Sequence, residues 1–216
     1  MRVPTIVLVA GLVLAAPSVG GCAAARYSFW EMFGEEKRDL LKSELRGLVE
    51  DQNDAKEKFG TALDRMKALT GFDGGELEAQ YDKLKSAHAG AASSAKSIDS
   101  RIADIETVAT DLFDEWAAEI GLMQTASLKA DSQRKLTDTK SRYDAMHVSM
   151  IGSRRKLDPA LALLNDQVLY LKHNLNAAAV GALGGSMGDV EASIRRLQTS
   201  IEASVREAQG FIDAMP

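Results

Sequence analysis

Three histidines, one cysteine and a row of evenly spaced cations are the residues of this 216-residue chain best suited to chemistry. His88, His147 and His173 lie far apart, and the sole carboxylate–histidine pair at one-turn spacing is Asp144-x-x-His147. Dinuclear helical bundles build their sites from paired Glu-x-x-His segments. This chain has no Glu-x-x-His, so neither a metal nor any other cofactor is expected. The lone thiol of Cys22 excludes an internal disulfide and any multi-thiolate zinc or iron–sulfur centre. The glycines near residue 184 lack the following Gly-Lys-Ser/Thr of a phosphate loop, and no nucleophilic hydrolase is expected. The expectation is a protein that is not an enzyme and has no catalytic residues. With 26 Lys+Arg against 31 Asp+Glu, the net charge of −5 leaves no basic excess for a phosphate backbone, so no nucleic-acid partner is expected.

Cys22 takes its meaning from what precedes it. Met1-Arg2 is a short positive start, Val3 to Ala16 is almost wholly apolar, and Pro17-Ser18-Val19-Gly20-Gly21 leads into the cysteine. The apolar run, at roughly 14 residues, is shorter than the ~20 needed to span a bilayer as a helix. Residues 1–21 therefore read as an export signal. Val19-Gly20-Gly21-Cys22 resembles the bacterial lipobox, whose cysteine is diacylated before cleavage. On that resemblance Cys22 is the lipidation site and residues 22–26 are a lipidated linker. The expected location is the bacterial cell envelope, with the membrane as partner through the N-terminal lipid. Ala23 in place of Asp after the cysteine points, by resemblance to lipoprotein sorting, to the outer membrane facing the periplasm.

The elements that position everything else come from one repeat. Apolar residues recur at alternating intervals of three and four, the mark of a helix seam. The first seam runs from Leu41 through Leu48, Ala55 and Phe59 to Leu69, the second from Leu77 through Leu84, Ile98 and Ile105 to Trp116. The third runs Leu136, Lys140, Tyr143, His147, Met150, Arg154, Leu157, Leu161 and on to Ala178; the fourth spans Met187 to Met215. Only Gln52, His88, Lys140, His147, Arg154 and Ser204 are polar along these seams. Breaks at 71–75, 121–127 and 181–188, the first and third of them rich in glycine, separate the stretches. Pro159 crosses the third seam without a phase slip and reads as a kink. The expected fold is all-α: residues 27–216 form one elongated antiparallel four-helix coiled-coil bundle, up-down-up-down, with helices at 28–70, 75–121, 127–180 and a shorter fourth at 188–214.

That topology proposes two surfaces. Reflecting the fourth helix about residue ~184 ends it early, which leaves Lys140, His147 and Arg154 uncovered as a basic groove for an acidic partner or lipid headgroup. The opposite end gathers Asp73, Tyr81, Lys172, His173, Asn174 and Asn176 into a tip interaction site. At the first end, Phe29, Trp30 and Phe33 are expected beside Phe113 and Trp116 as an aromatic plug.

Phe72-Asp73-Gly74-Gly75-Glu76-Leu77-Glu78 with Tyr81 and Leu84, Leu112-Phe113-Asp114-Glu115-Trp116, and Gln167-Val168-Leu169-Tyr170-Leu171-Lys172-His173-Asn174-Leu175-Asn176-Ala177 resemble the bacterial domain-of-unknown-function family 2959. The resemblance covers about residues 27 to 213. It implies exported or lipid-anchored, mainly helical proteins, and carries over no activity and no catalytic residue. The function expected is a non-enzymatic envelope scaffold or adaptor that docks another envelope component. The alternative is a periplasmic chaperone-like or small-ligand-binding helical protein.

Overall fold

Long runs of good helix formers, interrupted by clustered glycine or asparagine and almost free of proline, fold as long helices whose apolar seams must find one another. The computed structural model describes residues 37–71 and 76–215. The chain divides into two units, Met1–Glu35 and Glu36–Pro216, and the described residues all lie in the second. The export signal, Cys22, the residues Phe29, Trp30 and Phe33, and Asp73 lie outside the described residues.

Five helical segments follow in order: α1 Lys37–Thr70, α2 Leu77–Leu122, α3 Ala126–Arg154, α4 Leu157–His173 and α5 Ala177–Ala214. Among the described residues there is no strand. α3 and α4 are two halves of one rod. Between them Arg155 (φ −61°, ψ −15°) and Lys156 (φ −92°, ψ −11°) keep right-handed backbone, so the path continues past the break. Pro159 is the third residue of α4, where its missing N–H falls among donors that have no intrahelical acceptor anyway. Proline here restarts a helix instead of reversing the chain, as the unbroken seam requires.

α1 packs on α2 and α5, and the α3–α4 rod packs on the same two helices from the opposite side. Cross-helix pairs fix the directions. Ser94, Arg101 and Glu115 of α2 reach Asp54, Glu44 and Lys37 of α1 in turn. Arg154 and His147 of α3 reach Asp99 and Glu106 of α2. Lys67 reaches Glu191 of α5 at one end of α1, while near the other the Lys42 amine donates to the carbonyl of Met215, the residue that ends α5. Each pairing runs in opposite chain order, so the unit is an antiparallel up-down-up-down four-helix bundle.

Two boundaries differ from the seam reading. The third rod stops at His173, not 180, and the fourth helix begins at Ala177, about three turns earlier than 188. Asparagines make this reversal. Asn174 leaves helical geometry (φ −138°, ψ 55°) and its side-chain amide donates to the Tyr170 carbonyl at 2.9 Å. Asn176 caps α5 by accepting from the Ala179 N–H at 3.0 Å. Gly181, Gly184, Gly185 and Gly188 sit inside α5 with ordinary φ, and a Cβ on any of them would meet nothing within 4 Å. They are solvent-side helix residues, while Leu183 and Val190 carry the seam inward.

Candidate functional site

The third seam also differs in phase, which decides what its cations do. Leu136, Met150, Leu157 and Leu164 are buried as expected. The alternate positions are filled by Thr139, Met146, Ser153 and Ala160, each one residue before Lys140, His147, Arg154 and Leu161. Lys140, His147 and Arg154 therefore stand at the α2 edge of the core, not on its centre line. Lys140 Nζ lies 5.5 Å from the centre of the Phe113 ring. His147 Nε2 is 2.7 Å from Glu106 Oε1, and its ring stacks on Tyr143 at 5.7 Å. Arg154 Nε donates to Asp99 at 2.7 Å and its fork also holds Asp158. These hydrogen bonds to Asp99, then Asp158, raise the guanidinium above its ordinary value.

The fourth helix does not leave this stretch uncovered. With the reversal at 174–176, α5 reaches Ala214, and Phe211 packs edge-on against Tyr143 at 6.0 Å. Tyr143 sits between Phe113 and Phe211, and burial, with Glu106 and Asp144 adding to it, pushes its phenol up to about 12. The expected basic groove is thus a ladder of α2–α3 contacts in which His147 and Arg154 face carboxylates and Lys140 lies over a ring.

At the opposite end Lys172, His173, Asn174 and Asn176 lie together, while Tyr81 does not share their surface. Tyr81 is buried in the core, 7% exposed. Lys172 and His173 are exposed in the last turn of α4, where positive charge complements the helix dipole. Asn174 and Asn176 make the chain reversal described above. The remaining polar seam residue of α1, Gln52, is fully buried and ties three helices together. Its Nε2 donates to Ser153 Oγ of α3 and Ser204 Oγ of α5, both at 2.9 Å. Its Oε1 has no hydrogen-bond partner among the described residues.

No Gly-x-Ser-x-Gly elbow is expected from the sequence, yet Gly184-Gly185-Ser186-Met187-Gly188 spells that pattern. A nucleophile elbow needs a strand turning sharply into a helix to expose the serine. Here the five residues lie within α5, and Ser186 Oγ lies 3.0 Å from Gln167 Oε1 and 3.1 Å from the Leu183 carbonyl oxygen, with one proton to share between them. The serine joins α5 to α4. Among the described residues no group of three or more His, Cys, Asp or Glu could hold a metal ion, and no helix is long and apolar enough to cross a membrane.

The α2–α3 turn is the most open part of the described residues. Every residue from 121 to 130 is exposed, with Leu122 at 78% and Leu128 at 62%. Comparison with family models matches residues 26–215 to the model described as a protein of unknown function, DUF2959. Comparison with curated proteins finds no match.

Proposed function

The chain belongs to the DUF2959 family, and from that premise we propose that it is a cell-envelope lipoprotein, tethered through Cys22, that serves as a non-enzymatic scaffold or adaptor. The observation that carries this reading is where the chemically capable side chains are spent. Arg101, His147 and Arg154 join neighbouring helices through carboxylates, Gln52 joins three helices, and Asn174 and Asn176 close a turn. A surface that offers shape and charge while its functional groups hold the frame suits docking more than turnover. The lipobox-like Val19-Gly20-Gly21-Cys22 supports attachment to a membrane, by the outer-membrane sorting resemblance on its periplasmic face.

The test is crosslinking in intact envelopes followed by affinity capture, in parallel with a Lys172→Ala/His173→Ala variant and with Cys22→Ala. A scaffold yields a reproducible crosslinked partner that the tip variant weakens, and Cys22→Ala moves the protein out of the detergent phase. Retention of Cys22→Ala in that phase overturns the lipid tether. Suppression of aggregation of a heat-unfolded client, without a discrete partner, would favour the chaperone-like alternative.

A further inference from the structure

We infer that the α2–α3 turn is a lipid-contacting tip that seats Leu122, Met123 and Leu128 in the interfacial layer of the membrane; this rests on the proposed Cys22 tether. From Ile120 to Leu128 the chain carries no charged residue. Leu122, Met123 and Leu128 are 78%, 36% and 62% exposed, so three large apolar side chains crowd one turn.

Lipid is a demanding solvent because backbone polar groups find no water there. This turn meets part of that demand itself. Lys129 Nζ donates to the Gly121 carbonyl and Gln124 Nε2 to the Leu122 carbonyl, both at 3.2 Å, while the Met123 N–H donates to the Ile120 carbonyl. The carbonyls of Ile120, Gly121 and Leu122 are capped, and the Lys129 side chain lies beside the turn, where its head can reach headgroups while its stem lies on apolar surface. The other end of the unit has a different character. Leu169, Tyr170 and Leu175 are 50%, 43% and 40% exposed there, but they stand among the polar Lys172, His173, Asn174 and Asn176.

Position selects lipid as the occupant. Lys37 pairs with Glu115 at 3.0 Å, so α1 starts at the level of α2 that lies only seven residues before Leu122. Cys22 precedes Lys37 by 15 residues, a length that cannot reach more than about 50 Å. The rod from Ala126 to His173 is about 70 Å long, more than those 15 residues can span. Three side chains are too few for a stable pairing with a second copy, which needs about 800 Å² from each partner.

The test places single thiols in the acylated full-length protein, whose own Cys22 sulfur is consumed by acylation. Leu122→Cys, Leu128→Cys, Val148→Cys and Leu175→Cys are labelled with an environment-sensitive dye. The proteins, checked for wild-type helicity, are reconstituted in phosphatidylethanolamine/phosphatidylglycerol vesicles carrying a chain-attached quencher. The expected result is at least about threefold stronger quenching at 122 and 128 than at 148 and 175, matching insertion to a depth of ~5–10 Å. Equal quenching at all four positions, or none at 122 and 128 in protein that floats with the vesicles, overturns the inference. So does a disulfide-linked dimer through residue 122 in place of quenching. If mass analysis finds Cys22 without lipid, the tether fails by itself. Cys22→Ala proteins with the same dyes are then titrated with vesicles, where a blue shift confined to 122 and 128 retains the tip and its absence removes it.

Discussion

Gly47 shows how one side chain can invert a helix rule. Glycine in a helix interior costs about 1 kcal/mol relative to alanine. Yet a Cβ at Gly47 would stand 2.7 Å from Arg101 Cζ, whose guanidinium lies across α1 to hold Glu44 and Asp51 at 2.9 Å each. Burial disfavours that charge, and the hydrogen bonds to Glu44 and Asp51 outweigh it, so its pKa is raised. Glu44 is nearly buried, while Arg101 is about one-third exposed (32%), so displacing the fork costs about 2 kcal/mol, below the range for a fully buried pair. Gly47→Ala is therefore expected to destabilise by about 1 kcal/mol in urea unfolding, and to stabilise by about 1 kcal/mol in an Arg101→Ala background. Stabilisation in both backgrounds would show that the guanidinium moves aside freely. None of this was legible in the sequence, because only three-dimensional placement brings Arg101 over a glycine.

The elements were more legible than their phase. The seam of α1, from Leu41 to Leu69, is buried at every expected position, Gln52 included. On the third rod the spacings 136, 140, 143, 147, 150 and 136, 139, 143, 146, 150 share every second position, and apolar content alone did not choose between them. Met146 and Ala160 fill the core, which leaves His147 and Arg154 at its edge to meet Glu106 and Asp99. Turn placement failed for a related reason. Glycine reads as the stronger break, but the asparagines cap helix ends with their own side chains, and the glycines lie where α5 faces water. Gly184→Ala/Gly185→Ala is accordingly expected to stabilise the protein by about 1–2 kcal/mol and to raise helicity in circular dichroism. A loss of stability would restore the glycine turn. Of the candidate sites, Lys172, His173 and the two asparagines do share one end, but Tyr81 faces the core because its heptad position is an inward one.

At the scale of the whole bundle, charges on different helices set a pH window. Glu191 is held below the ordinary carboxylate range by Arg195 and Lys67, and Glu202 by Lys56. A depressed folded pKa gives stability that is present above the unfolded value and lost as pH falls through the folded one. Tyr143 has the opposite sign. Its phenol, pushed up to about 12, favours the fold below the usual tyrosine value near ~10 and loses that contribution as pH rises through about 12. Thermal unfolding should show a plateau between about pH 5 and 9, with an acid limb below about pH 4. Lys56→Met/Lys67→Met should flatten the acid limb, and Tyr143→Phe the alkaline one. An acid limb unchanged in the lysine variant would assign it to other carboxylates.

The Gln52 amide sits near mid-length, tied to Ser153 just before the α3–α4 break and to Ser204 on α5. Sliding any of these three helices along its neighbours would set that amide against hydrocarbon, so the contact works as a zero mark from which both ends of the bundle are measured. Residues added or lost near the 121–130 turn, or near 174–176, then change how far one end extends without disturbing the alignment of the other. The two ends are free to diverge in length and chemistry, one toward an uncharged turn and the other toward a polar one, while the middle keeps them in step.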